Sequence, residues 1–122
     1  MKITYNSPVI LTYTLISVSL LLLEMLVKPG LIGTFFVCPP HFDFFNPFSY
    51  LRLFTHVFGH ASWEHLTGNF AFILLLGPIL EEKYGSWELF ELLAITAFVT
   101  GILNIIFFDT GLLGASGIVF ML

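Results

Sequence analysis

The sequence predicts an all-α membrane protein, and three observations lead there. Of its 122 residues, 57% are hydrophobic and only 10% charged, where soluble domains carry about 25% charged residues. The mean hydropathy is +0.97. The apolar residues gather in stretches close to the roughly 20 residues that an α-helix needs to cross a bilayer core.

Residues 9–27 form the first stretch, broken only by Thr, Ser, Tyr and the single acid Glu24. No basic leader beyond Lys2 and no small-residue cleavage site accompanies it, so it reads as a membrane helix rather than a removable signal peptide. Lys28-Pro29-Gly30 marks its exit into the interface. Residues 28–61 then hold Pro29, Pro39, Pro40 and Pro47, with Phe35, Phe36, Phe42, Phe44, Phe45 and Phe48 crowded among them. Such a segment is too broken to span and too aromatic for a floppy linker. The sequence predicts a structured loop in the membrane interface, where aromatic rings are favoured; a packed extramembrane lid fits the same composition.

Ser62 is suited to cap a second helix, with Glu64 in the first turn where the helix dipole favours an acid. This helix is expected over 62–81, with Gly77 and Pro78 close to its end. Glu81 and Glu82 would then sit at the end where acids are disfavoured. That misplacement points to a specific tertiary hydrogen bond at Glu81, while Glu82 reads equally as an interfacial acid. A third span is expected over 87–108, with the small and polar residues Thr96, Thr100, Gly101 and Asn104 that permit close helix approach in lipid. Residues 116–122 read as the start of a fourth helix, so the chain is expected to be the N-terminal part of a longer bundle. Lys2 and Lys83 oppose Lys28 and Arg52 across the bilayer, which leaves orientation undecided.

Several function classes fall away on composition. The net charge is −4, with four basic residues and no basic run, so nucleic-acid binding has no electrostatic footprint. One cysteine, Cys38, permits neither an intrachain disulfide nor a cysteine metal cluster.

Two polar features remain. His56, His60, His65 and Asn69 fall within fourteen residues; on a helix starting near Ser62, His65 and Asn69 share one face. Polar groups leading into the apolar run 70–76 need partners that lipid does not offer, and a hydrophilic pocket within the membrane would supply them. His56 and His60 are also spaced i, i+4, as for a metal or haem, but no Glu follows His56 as in zinc proteases. The second feature is Gly114-Ala115-Ser116-Gly117. Its glycines permit a sharp turn and leave the hydroxyl uncrowded, while N–H groups at a helix start can hold an oxyanion. Taken alone, such a motif reflects tight helix packing more often than catalysis, and the strand that precedes the Gly-x-Ser-x-Gly elbow of soluble hydrolases is missing from the pattern.

Taken together, Arg52-Leu-Phe-Thr55-His56, His60, His65, Asn69, Gly77, Glu81, Tyr84-Gly85-Ser86 and Gly114-Ala-Ser116-Gly117 resemble the rhomboid intramembrane serine proteases over about residues 50–122. The resemblance implies a rhomboid-like helical bundle, here with three transmembrane helices plus the start of a fourth. It implies a serine endopeptidase acting on membrane-anchored protein substrates in the lipid bilayer, with no cofactor. Ser116 would be the nucleophile, and His65 and Asn69 would form the oxyanion side. His60, Gly114, Gly117, Arg52 and Glu81 would be pocket or scaffold positions. Leu51 stands where the family often has a tryptophan. The family's general-base histidine lies in a sixth membrane helix, which these residues do not include, so the 122 residues alone are expected to be inactive. The alternative is a catalytically silent relative that binds membrane helices.

Overall fold

The computed structural model describes residues 6–122 and consists of six helices. They are α1 (Pro8–Leu26), α2 (Leu31–Phe35), α3 (Pro47–Thr55), α4 (Trp63–Tyr84), α5 (Ser86–Phe107) and α6 (Ser116–Met121). Among the described residues the only β-type pairing is an isolated bridge, Cys38 with Leu112.

Two helices, α1 and α5, are long and apolar enough to cross a membrane. Only 22% of the apolar stretch of each is buried inside the protein. Leu15, Leu26, Ile106 and Phe107 are all more than three-fifths exposed. A helix that is apolar all round yet uncovered needs a hydrocarbon solvent. α4 is as long as α5, at 22 residues, but it carries Glu64, His65, Asn69, Glu81, Glu82 and Lys83 and falls outside that apolar class.

The interval 28–61, expected as a loop, contains two helices. α3 starts where Asn46 accepts the N–H of Phe48 at 3.0 Å and Pro47 supplies a preset φ at the first helical position. α2 is capped from a distance: the Glu24 carboxylate accepts the N–H groups of Gly30 (2.9 Å) and Ile32 (2.8 Å). The acid inside the first apolar run is therefore spent on the turn that follows it. Arg52 donates to the Thr34 carbonyl and ties α3 to α2.

The second helix runs past its expected end at 81 and closes at Gly85, whose φ of 98° suits glycine. Glu81 thus lies one turn inside the helix and is 3% exposed. Its carboxylate accepts the N–H of Val9 (2.9 Å), the N–H of Ile10 (3.1 Å) and the hydroxyl of Ser86 (2.8 Å). An anion at the start of α1 meets the positive end of that helix and satisfies two of its orphan donors. Four residues earlier, Gly77 admits Ile10: a Cβ there would come within 2.5 Å of the isoleucine Cδ1. Glycine and carboxylate together clamp α1 to α4.

Candidate active site

The polar residues converge where the α3–α4 loop and the start of α4 meet the turn before α6. Ser62 Oγ accepts the His65 N–H at 3.2 Å, so α4 begins where its cap dictates. One turn on, Asn69 follows His65 on the same face. Both lie against Gly114: a Cβ at that glycine would sit 2.6 Å from His65 Cε1, 2.8 Å from His65 Nε2 and 3.7 Å from Asn69 Nδ2. Gly114 also has φ +106°, a conformation that side chains disfavour. Backbone geometry and space both require glycine there.

The turn is held from the opposite side by consecutive hydrogen bonds. Leu112 and Cys38 exchange N–H and C=O at 2.9 Å each way, the Gly114 N–H donates to the His56 carbonyl at 2.9 Å, and the Ala115 N–H donates to His60 Nε2 at 3.2 Å. Ser116 follows as the first residue of α6. Gly117 lets α6 approach α5, since a Cβ there would lie 3.0 Å from the Thr100 methyl. The loop is supported from beneath by Tyr13 of α1, whose hydroxyl donates to the Val57 carbonyl at 2.7 Å. The Tyr13 ring also packs on Phe58 and Phe70, with centroids 5.1 Å away in each case.

The histidines divide into distinct environments. His60 accepts at Nε2, so Nδ1 carries the proton and donates to the Phe58 carbonyl at 3.3 Å. Burial, and then the neighbouring His65 ring 5.0 Å away, push His60 down to about 4. His56 is fully enclosed, and its Nε2–H donates to the Ala97 carbonyl of α5 at 2.9 Å. Burial also lowers the His56 pKa, partly offset by its backbone hydrogen bonds. A metal or haem at the His56–His60 pair would have to displace these bonds, and among the described residues no three His, Cys, Asp or Glu side chains gather as a metal site. His41 lies exposed in the α2–α3 connection.

Like His56 Nδ1, the Nδ2 of Asn69 is buried and has no hydrogen-bond partner. A buried unmet donor costs about 1–3 kcal/mol, and here it faces the serine-bearing turn. Of the other positions expected at the site, Glu81 holds α1 to α4 and Arg52 holds α3 to α2, both through the hydrogen bonds given above. Leu51 is exposed, so no ring packs at the position before the arginine. A cavity of about 770 Å³ between α1, α3 and α5 is lined chiefly by carbon and offers no proton chemistry. The sequence singles out His56 and Gly114 but not the hydrogen bonds that His56 and the 112–115 backbone make here, because their partners lie in other elements.

The fold and site define a class: a helical membrane protein whose serine sits on a glycine turn set against a histidine and an asparagine of a neighbouring helix. A family model, Rhomboid domain, matches residues 47–122. The chain is 33% identical over 81 residues to the rhomboid protease GlpG of Salmonella newport strain SL254, and equally to those of Salmonella heidelberg strain SL476 and Salmonella typhi. Those matches cover 66% of this chain and 29% of each relative. The chain belongs to the rhomboid family, and its apolar helices place it among integral membrane proteins.

Proposed function

We propose that this chain carries the nucleophile and oxyanion side of an intramembrane serine endopeptidase acting on membrane-anchored proteins. The observation that carries this reading is the unpartnered, buried Nδ2 of Asn69 beside His65 and Gly114. Donors fixed in advance where negative charge develops supply a large share of acyl-transfer catalysis.

In this reading the Ser116 hydroxyl oxygen attacks the scissile carbonyl carbon while its proton passes to a base. The carbonyl oxygen becomes an oxyanion held by Asn69 Nδ2, His65 and the N–H groups opening α6. Collapse of the tetrahedral species breaks the C–N bond, and the base returns its proton to the departing amine. Water then hydrolyses the ester, and Ser116 regains its proton.

A serine hydroxyl needs an adjacent base at neutral pH. His60 is engaged with backbone at both nitrogens, His56 is fully enclosed with Nε2 on Ala97, His65 flanks the oxyanion side, and His41 lies in the exposed connection. None of the four histidines is given the base's role in this reading. The same reading makes α4 a third membrane span and α6 the start of a fourth, giving a multi-pass protein. The second reading, a silent relative that binds membrane helices, draws on the same shortage of a base.

Cleavage of a membrane-anchored reporter by the full-length protein separates the two. The peptidase reading expects cleavage that vanishes in Ser116→Ala. Cleavage that survives this change removes the nucleophile assignment, and an intact protein that never cleaves favours the binding role.

A further inference from the structure

We infer that His56 is a positioning residue for the serine-bearing turn, coupling Gly114 to the backbone of α5. This deepens the peptidase reading of the site and rests on it for its functional consequence.

The imidazole and the backbone of His56 reach in different directions. Its Nε2–H donates to the Ala97 carbonyl at 2.9 Å, and its own carbonyl accepts the Gly114 N–H at 2.9 Å. The ring is 1% exposed and packs on bare backbone: a Cβ at Gly101 would lie 3.1 Å from Leu53 Cδ2 and 3.4 Å from His56 Nε2. Contact this close lets the end of α3 lie directly on α5. The Ala97 carbonyl also accepts the Thr100 hydroxyl at 3.1 Å, so it keeps a partner when the ring is removed. Loss of the imidazole therefore frees residue 56 from α5 without orphaning the acceptor. The Gly114 amide that the His56 carbonyl holds lies two residues before Ser116, and Gly114 has no Cβ with which to pack. A register set at Ala97 is passed through one residue to the turn.

The Leu112 N–H provides an internal control, because it is held by Cys38 rather than by His56. The test compares wild-type full-length protein with His56→Leu and His56→Gln in lipid nanodiscs. Single-amide hydrogen exchange is followed by NMR, alongside kcat and KM for a reporter. His56→Leu is expected to speed exchange at Gly114 by about ten-fold, the scale of one lost hydrogen bond, with Leu112 unchanged. It should lower kcat while KM stays constant. His56→Gln, which can carry an N–H toward Ala97, should restore both. Unchanged exchange at Gly114 in His56→Leu overturns the inference. Equal acceleration at Gly114 and Leu112 also overturns it, since that is general loosening. If the exchange pattern is as expected while wild-type protein cleaves nothing, the positioning of the turn stands and the peptidase reading fails.

Discussion

The imidazole of His60 accepts the backbone N–H of Ala115 at 3.2 Å, while its other nitrogen donates to the carbonyl of Phe58. This pairing requires a neutral ring with the proton on Nδ1. His56, four residues earlier, uses Nε2–H as a donor to Ala97 and so holds the opposite tautomer. Nitrogen-15 NMR of labelled histidines should resolve both forms in one protein. The Nε2 of His60 should shift as an unprotonated nitrogen and that of His56 as a protonated one. Two histidines of one tautomer would contradict the hydrogen bonds assigned to the turn.

Acid should loosen this turn. His60 is held down to about 4 from its ordinary 6.5, chiefly by burial and secondly by His65. Between those values the unfolded chain takes up a proton that the folded one refuses, so stability rises with pH across the window. The contribution is complete above 6.5 and is lost as pH falls toward 4. Below that, a protonated Nε2 would point a donor at the Ala115 N–H. Thermal unfolding in detergent should therefore show a midpoint that falls between pH 6.5 and 4. The fall should be smaller in His60→Gln, which has no proton to gain, and an equal fall in both proteins would assign the effect elsewhere.

Glu81 should be among the most sensitive positions for stability. Its carboxylate holds two amides of α1 and the Ser86 hydroxyl while almost wholly buried. Glu81→Ala leaves these donors unmet and should destabilise by about 3 kcal/mol, whereas Glu81→Gln keeps an acceptor and should lose less. Equilibrium unfolding in mixed micelles measures both.

Gly77 makes a separable prediction in the same clamp. Adding a methyl drives it into Ile10 Cδ1 at 2.5 Å, and that side chain is fully buried. Gly77→Ala should destabilise by about 1–3 kcal/mol through overpacking. Ile10→Val or Ile10→Ala in the same protein should recover part of the loss. Two independent, additive losses would show that residues 10 and 77 are not in contact.

Gly114→Ala should silence the site without unfolding the protein. It combines φ +106° with a methyl placed 2.6 Å from His65. Cleavage should fall by at least about a hundred-fold, as for loss of an oxyanion donor, while helicity by circular dichroism stays at the wild-type level.

Much of the frame was legible in the sequence because its causes are local. The apolar run after Pro8 sets α1, and Ser62 caps α4 through a bond three residues long. The His65–Asn69 face follows from helical spacing alone. The two helices inside 28–61 were hidden for different reasons. Asn46-Pro47 is a local start signal for α3, obscured by the prolines and aromatics around it. α2 is capped by Glu24 from the preceding helix, a contact no window of five residues contains. The extension of α4 beyond Glu81 was unreadable because the acid's partners are the amides of α1, more than seventy residues away. His56 invited a metal reading from its spacing with His60. Its actual partners, Ala97 and Gly114, come from two other elements.

The central claim is that Ser116 is a nucleophile, and a serine-directed fluorophosphonate tests it most directly. The hydroxyl oxygen displaces fluoride at phosphorus, leaving a stable adduct on the attacking residue. After treatment of full-length protein in membranes, peptide mass spectrometry should find the adduct on Ser116, with loss of labelling in Gly114→Ala. An unmodified Ser116 in protein that still cleaves its substrate, or an adduct confined to another serine, would contradict the account.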